Sequence, residues 1–181
     1  DPDCVEMVIG DLARIEAYNL RQIQKQVLQL AAFSKNEEAI GVNFTLYDDG
    51  EFNALSEKDL EYESEKEYYQ KIKDDLLDKI SNERAGNNQY NRKEKRTSRR
   101  FIYTDDSCIA LAHFNYREDC LDCHFVLRSS NVRDTLYYDL NFLYSLCKEV
   151  YCTLELESKV YCRMRFTINS AHIPIIIDEE E

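Results

Sequence analysis

The sequence has no tryptophan, and only 4 glycines, 2 prolines and 3 histidines. So few glycines exclude the glycine-rich phosphate loops: Gly10, Gly41, Gly50 and Gly86 form neither a G-x-G-x-x-G nor a Walker pattern. No apolar run approaches the ~20 residues of a bilayer span, so no membrane partner is expected. Positive charge is also short, with 23 Lys and Arg against 35 Asp and Glu, a net charge of -12. Phosphate affinity needs cations, so no nucleic-acid partner is expected, and only a local basic patch could serve that role. No second C-x-x-C pair and no spaced histidine pair is present, so no metal site is expected.

What the chain does have is 181 residues, 44% of them hydrophobic, and 13 tyrosines. That length and composition predict one globular domain over residues 1–181 with a substantial core. Seven cysteines without a basic-then-apolar leader read as reduced thiols in a cytoplasmic protein, and the odd count argues against a fully paired disulfide framework.

Residues 3–33 read as a helix, with Val5, Ile9, Leu12, Ile15, Ile23, Val27 and Leu30 recurring mostly at three- and four-residue steps. Alternation over Val42–Leu46, followed by Asp48-Asp49-Gly50, predicts a strand and hairpin within 41–55. Residues 57–82 form a charged amphipathic helix with Leu60, Tyr68, Tyr69, Ile72, Leu76 and Ile80 as its apolar stripe. The stretch 84–100 is a basic loop. It reads as a solvated linker over most of its length, or as an anion site centred on Arg99-Arg100.

The second half alternates clearly. Ile109, Leu111 and His113 are read on one strand face, with His113 as a core histidine, and Arg117-Glu118-Asp119 as the turn. Leu121, Cys123, Phe125 and Leu127 line the returning strand. A helix over 134–151 presents Leu136, Leu140, Leu143, Cys147 and Val150, and its tyrosines are read as packing residues. Val160–Ile168 forms a strand, and Ile175–Ile177 a short final one. The fold class is α+β with antiparallel pairing prominent.

Cys120-Leu-Asp-Cys-His124 spells the c-type haem attachment pattern, but with no export signal and Cys123 on an apolar strand face it reads as core thiols. Cys108 differs, because it follows the polar Thr104–Ser107 loop and Arg128-Ser129 lies at the end of the hairpin's second strand. An arginine beside a thiol favours the thiolate, which can add to an electron-poor ring carbon. Arg99, Arg100 and Arg128 with a serine hydroxyl could hold a phosphate.

These residues resemble the thymidylate synthase and deoxycytidylate hydroxymethylase family. Ser98-Arg99-Arg100-Phe101-Ile102 looks like its Ser-Arg-Arg strand start, and Arg128-Ser129-Ser130-Asn131, 20 residues after Cys108, looks like its Arg-Ser-x-Asp. Asp139 falls on the position that reads the pyrimidine, and Asn169-Ser170-Ala171-His172 resembles the Gly-Asp-x-His stretch. The resemblance covers about residues 65–176. It implies a mixed, largely antiparallel sheet with flanking helices, and a homodimer. Cys108 would be the nucleophile. Arg128 and Ser129 would bind the nucleotide phosphate, and Arg99 and Arg100 would reach the neighbouring subunit's phosphate. His172 would contact the ribose and Asn131 the cofactor. Asp139 implies a cytidine rather than a uridine monophosphate.

The pattern departs from the family at several points. Ser107 and Ile109 flank Cys108 where the family has Pro and His, His172-Ile173-Pro174 replaces His-x-Tyr, and Asn131 replaces the aspartate that meets the pterin. Two readings follow. One is a C5 methyl- or hydroxymethyltransferase, with methylenetetrahydrofolate as the one-carbon donor and no other cofactor. The other is a catalytically inactive homologue that serves as a nucleotide-binding or protein-interaction module.

Overall fold

The computed structural model describes residues 5–9, 13–17, 19–52, 66–84, 91, 93–156 and 160–174. The chain is α+β, with one mixed sheet flanked by helices. In chain order the elements are β1 (Val5–Ile9), β2 (Ala13–Ala17), α1 (Leu20–Ala32), β3 (Glu38–Asp48), α2 (Lys66–Arg84), β4 (Ile102–Thr104), β5 (Ile109–Arg117), β6 (Cys120–Leu127), β7 (Ser130–Asn131), α3 (Leu136–Thr153) and β8 (Tyr161–His172). The sheet runs β2-β1-β3-β8-β6-β5-β4, with β7 paired to β8. Most neighbours are antiparallel, whereas β6 and β8 are parallel and joined through α3. No helix among the described residues is long and apolar enough to cross a membrane.

The N-terminal helix expected over 3–33 is corrected: β1 and β2 form an antiparallel hairpin, and only Leu20–Ala32 is helical. Val5, Val8 and Ile9 are β-branched, which favours a strand over a helix. The helix begins where a cap permits it, with Asn19 accepting a bond from the Gln22 amide at 3.0 Å. Ile23 and Val27 are buried, as their spacing predicts, while Leu30 is exposed. The hairpin expected after β3 is also corrected: β3 pairs with β1 and β8, two strands distant in sequence. Leu60 and Ile175–Ile177 lie outside the described residues.

A row of phenylalanine rings crosses the sheet's buried face. Phe44 stacks on Phe166 with centroids 4.8 Å apart, Phe166 meets Phe125 at 5.1 Å, Phe125 meets Phe114 at 5.7 Å, and Phe114 meets Phe101 at 5.7 Å. Ile72, Leu76 and Ile80 of α2 and Leu136, Leu140, Leu143 and Val150 of α3 are buried in the same core. Glu118 and Asp119, at φ 52 and 62, form the two-residue turn between β5 and β6, the mirror-image turn that matches strand twist.

An irregularity between Ile109 and Leu111 corrects the face assignment on β5. Beyond it Ala112, Phe114 and Tyr116 point into the core, while Leu111 and His113 lie on the opposite, half-buried side. A bulge adds one residue and so exchanges the two faces, which strict alternation cannot anticipate.

Gly50 closes the turn after β3. Its φ is +89°, and a Cβ there would lie 2.3 Å from the Val160 carbonyl oxygen and 2.6 Å from the Tyr151 hydroxyl. Asp48 holds the turn, accepting bonds from the Gly50 amide at 2.9 Å and the Tyr144 hydroxyl at 2.7 Å. Gly50→Ala is therefore expected to lower folding stability by about 3 kcal/mol, left-handed strain and overpacking together. Denaturant unfolding checks this, and an unchanged midpoint would contradict the assignment.

Candidate functional site

The β5–β6 hairpin closes the distance between two segments that are far apart in sequence. Ile109 pairs with Leu127, so the residues just outside the two strands also meet. The Arg128 amide donates to the Cys108 carbonyl at 2.8 Å, and Cys108 Sγ lies 3.9 Å from Ser129 Oγ. The 20-residue spacing from Cys108 to Arg128 is thus the length of one hairpin.

A cavity of about 350 Å³ opens here, lined by Tyr68, Ser107, Cys108, Thr135 and Asp139. Tyr68 comes from the start of α2, Ser107 and Cys108 from the loop before β5, and Thr135 and Asp139 from the start of α3. The cavity sits beside the carboxyl end of β6, where the chain leaves the sheet to enter α3.

Asp139 is in the first turn of α3, where the helix dipole favours negative charge, and it is only 7% exposed. The Tyr69 hydroxyl donates to its Oδ1 at 2.5 Å, and the Tyr69 ring stacks on Phe142 at 4.4 Å. Tyr68 accepts bonds from Ser107 Oγ at 2.9 Å and from the Ile109 amide at 2.8 Å. Burial pushes its phenol above the ordinary tyrosine range, so it is a neutral hydroxyl at neutral pH. Cys108 itself is exposed.

The structure therefore brings Cys108, Ser129 and Asp139 together. It places Arg128 next to Ser129, exposed to solvent. Arg99 and Arg100 are elsewhere on the same chain. They are exposed in the turn before β4, where the Arg99 carbonyl accepts from His113 Nε2 at 3.2 Å. His113 is five residues along β5 from Cys108, roughly 15 Å away at the strand rise. Residues 85–90 and 92 of the basic stretch lie outside the described residues, and its end is a fixed turn. Thr97 and Ser98 are buried, and the Thr97 hydroxyl accepts from the Tyr116 amide at 2.9 Å.

His172 and Asn131 sit side by side where β7 meets β8, outside the cavity lining. The Asn131 side chain is engaged locally. Its Oδ1 accepts from the amides of Arg133 and Asp134 at 3.2 and 3.1 Å, and its Nδ2 donates to Asp134 Oδ2 at 3.0 Å. Those bonds shape the turn into α3.

Sequence reasoning missed Tyr68 and Tyr69, which it assigned to an apolar stripe. Their polar ends were legible only in that tyrosine, unlike leucine, must satisfy a hydroxyl when it packs. The C-x-x-C-H run is divided between two environments. Cys123 is buried, with its Sγ 3.9 Å from Cys162 Sγ, while His124 lies on the open sheet face opposite His113. Burial pushes the Cys123 and Cys147 thiols up, which suits inert core groups. Among the described residues, no group of three or more His, Cys, Asp or Glu side chains is arranged to hold a metal ion.

No family model matches the chain, and no curated protein matches it. Among solved structures it is similar to the crystal structure of thymidylate synthase from T4 phage. The identity is 19%, the match covers 56% of this chain and 34% of that chain, and the TM-score is 0.39. The match spans about a third of the length of that solved chain. So slight an overlap transfers no residue role.

Proposed function

We propose that the cavity binds a pyrimidine monophosphate, a cytidine nucleotide, and that Cys108 acts on it as a nucleophile. The observation that supports this most is the meeting in one cavity of Cys108, on the loop before β5, and Asp139, in the first turn of α3, 31 residues apart in sequence. The cavity volume lies in the range of small-molecule sites. Asp139 would read cytosine by accepting from the N4 amino group and, in its protonated form, donating to N3, with Tyr69 fixing the carboxyl group. Arg128 and Ser129 would take the phosphate, and His172 the ribose. In a homodimer, Arg99 and Arg100 would serve the phosphate of the neighbouring site.

The chemistry begins with addition. The Sγ–C6 bond forms as the C5=C6 π bond breaks, and the electron pair moves to C5. C5 then takes a hydron from water. Loss of either hydron from C5 re-forms the double bond and expels the thiolate. A C5 electrophile in place of the hydron would make the protein a C5 transferase, cytoplasmic by its free thiols. Incubating CMP or dCMP deuterated at C5 with the protein tests this. Release of deuterium to water without any cofactor supports the reading, and retention of the label counts against it.

A second reading has its own support. Asn131 has its oxygen and one N–H engaged in the turn into α3, and the chain has no tryptophan to stack a folate. Those features favour a protein that binds the nucleotide without a one-carbon donor. Adding methylenetetrahydrofolate to the assay separates the two, since only the transferase reading expects a C5-substituted product.

A further inference from the structure

Cys108 is exposed in a loop, and its two sequence neighbours are tied to one atom. Ser107 Oγ donates to the Tyr68 phenol oxygen at 2.9 Å, and the Ile109 amide donates to the same oxygen at 2.8 Å. Both acceptor positions of that oxygen are thus occupied by groups on either side of Cys108. Among the described residues the Tyr68 hydroxyl also lies 3.4 Å from the Ile109 carbonyl, long for an O–H bond, and Tyr68 lines the cavity. Tyr68 is anchored on α2, whose Ile72, Leu76 and Ile80 are buried, so the clamp is fixed to the core.

We infer that Tyr68 is the positioning residue of this site: its phenol oxygen grips the loop before and after Cys108 and so aims Sγ into the cavity. Ser107 supplies a hydroxyl, and the loop has no proline at 107 to stiffen it. The loop is held by a helix instead of by its own backbone. The grip stands on the geometry alone, and the nucleotide reading enters only in naming the occupant.

The test compares the wild-type protein with Tyr68→Phe and Ser107→Ala. Two readouts need no activity: hydrogen exchange at the Ile109 amide by NMR, and the rate of iodoacetamide modification at Cys108 by peptide mass spectrometry. Cys152, exposed near the end of α3, is the internal control. Tyr68→Phe keeps the ring and deletes the acceptor. It should speed Ile109 exchange about tenfold and change the Cys108 rate by about threefold or more, with Cys152 unchanged. Ser107→Ala should leave the Ile109 amide protected and move the Cys108 rate less. Unchanged Ile109 exchange and Cys108 rate in Tyr68→Phe would overturn the inference. Equal acceleration at Cys108 and Cys152 would overturn it too, since that marks general loosening.

CMP provides the separate arm. Protection of wild-type Cys108 by CMP, needing about tenfold more nucleotide in Tyr68→Phe, supports both readings. Absence of protection in the wild type counts against the nucleotide alone, and the grip is then decided by exchange and modification.

Discussion

Cys108→Ser is expected to bind a cytidine nucleotide and fail to exchange its C5 hydrogen. A serine hydroxyl at the same position has the same reach but is far less nucleophilic and far less ionised at neutral pH. Removing a nucleophile that acts together with its surroundings costs about a thousandfold or more in rate. Affinity should stay within about threefold, because Cys108 is exposed and its thiol lies 3.9 Å from Ser129 Oγ, near the longest reach of a sulfur hydrogen bond. The measurement is deuterium release from labelled nucleotide, with affinity from calorimetry on the same preparations. Exchange surviving in Cys108→Ser would remove Cys108 from the chemistry. Loss of affinity with loss of exchange would mean that the thiol shapes the cavity instead of attacking.

The largest structural effect is expected at Phe125. It is fully buried at the middle of the phenylalanine row, in contact with both Phe114 and Phe166. Phe125→Ala should cost about 3–5 kcal/mol, combining lost transfer energy with a cavity that neighbouring strands cannot close. Unfolding in urea, with the slope unchanged and the midpoint lowered, is the expected signature. A cost below about 1 kcal/mol would mean that the row rearranges, against the rigid packing expected of such a core. Because Phe125 lies two residues before Leu127, which pairs with Ile109, the same change should also loosen the Cys108 loop.

The second half of the fold was legible because its signals were local. Leu121, Cys123, Phe125 and Leu127 alternate without interruption and are all buried, and α3 carries its apolar stripe as spaced. In the first half, the strand at Val42–Leu46 and the stripe Ile72, Leu76 and Ile80 of α2 were legible too, but the N-terminal hairpin was not. In residues 5–17 the apolar residues recur at steps that a hairpin can satisfy as well as a helix. Only tertiary pairing of β1 with β3 decides between them. His113 was placed on the wrong face by one bulged residue. Cys108, Arg128 and Ser129 came together as their spacing implied, since hairpin pairing is fixed by the turn. Tyr68 and Tyr69 could not be found from spacing, because their partners are 39 and 70 residues away and reach them only once α2 packs on the loop before β5 and on α3.

The central claim is that one cavity pairs a reading carboxylate with a nucleophilic thiol around a cytidine nucleotide. Its most direct test is calorimetric titration with CMP, dCMP, dUMP and dTMP, each repeated with methylenetetrahydrofolate. The account predicts saturable binding of a cytidine nucleotide, weakened at least about tenfold for the uridine and thymidine compounds by the mismatch at Asp139. Tightening by the folate would mark a transferase, and its absence a binding protein. Equal binding of all four nucleotides, or binding of none, would contradict the account.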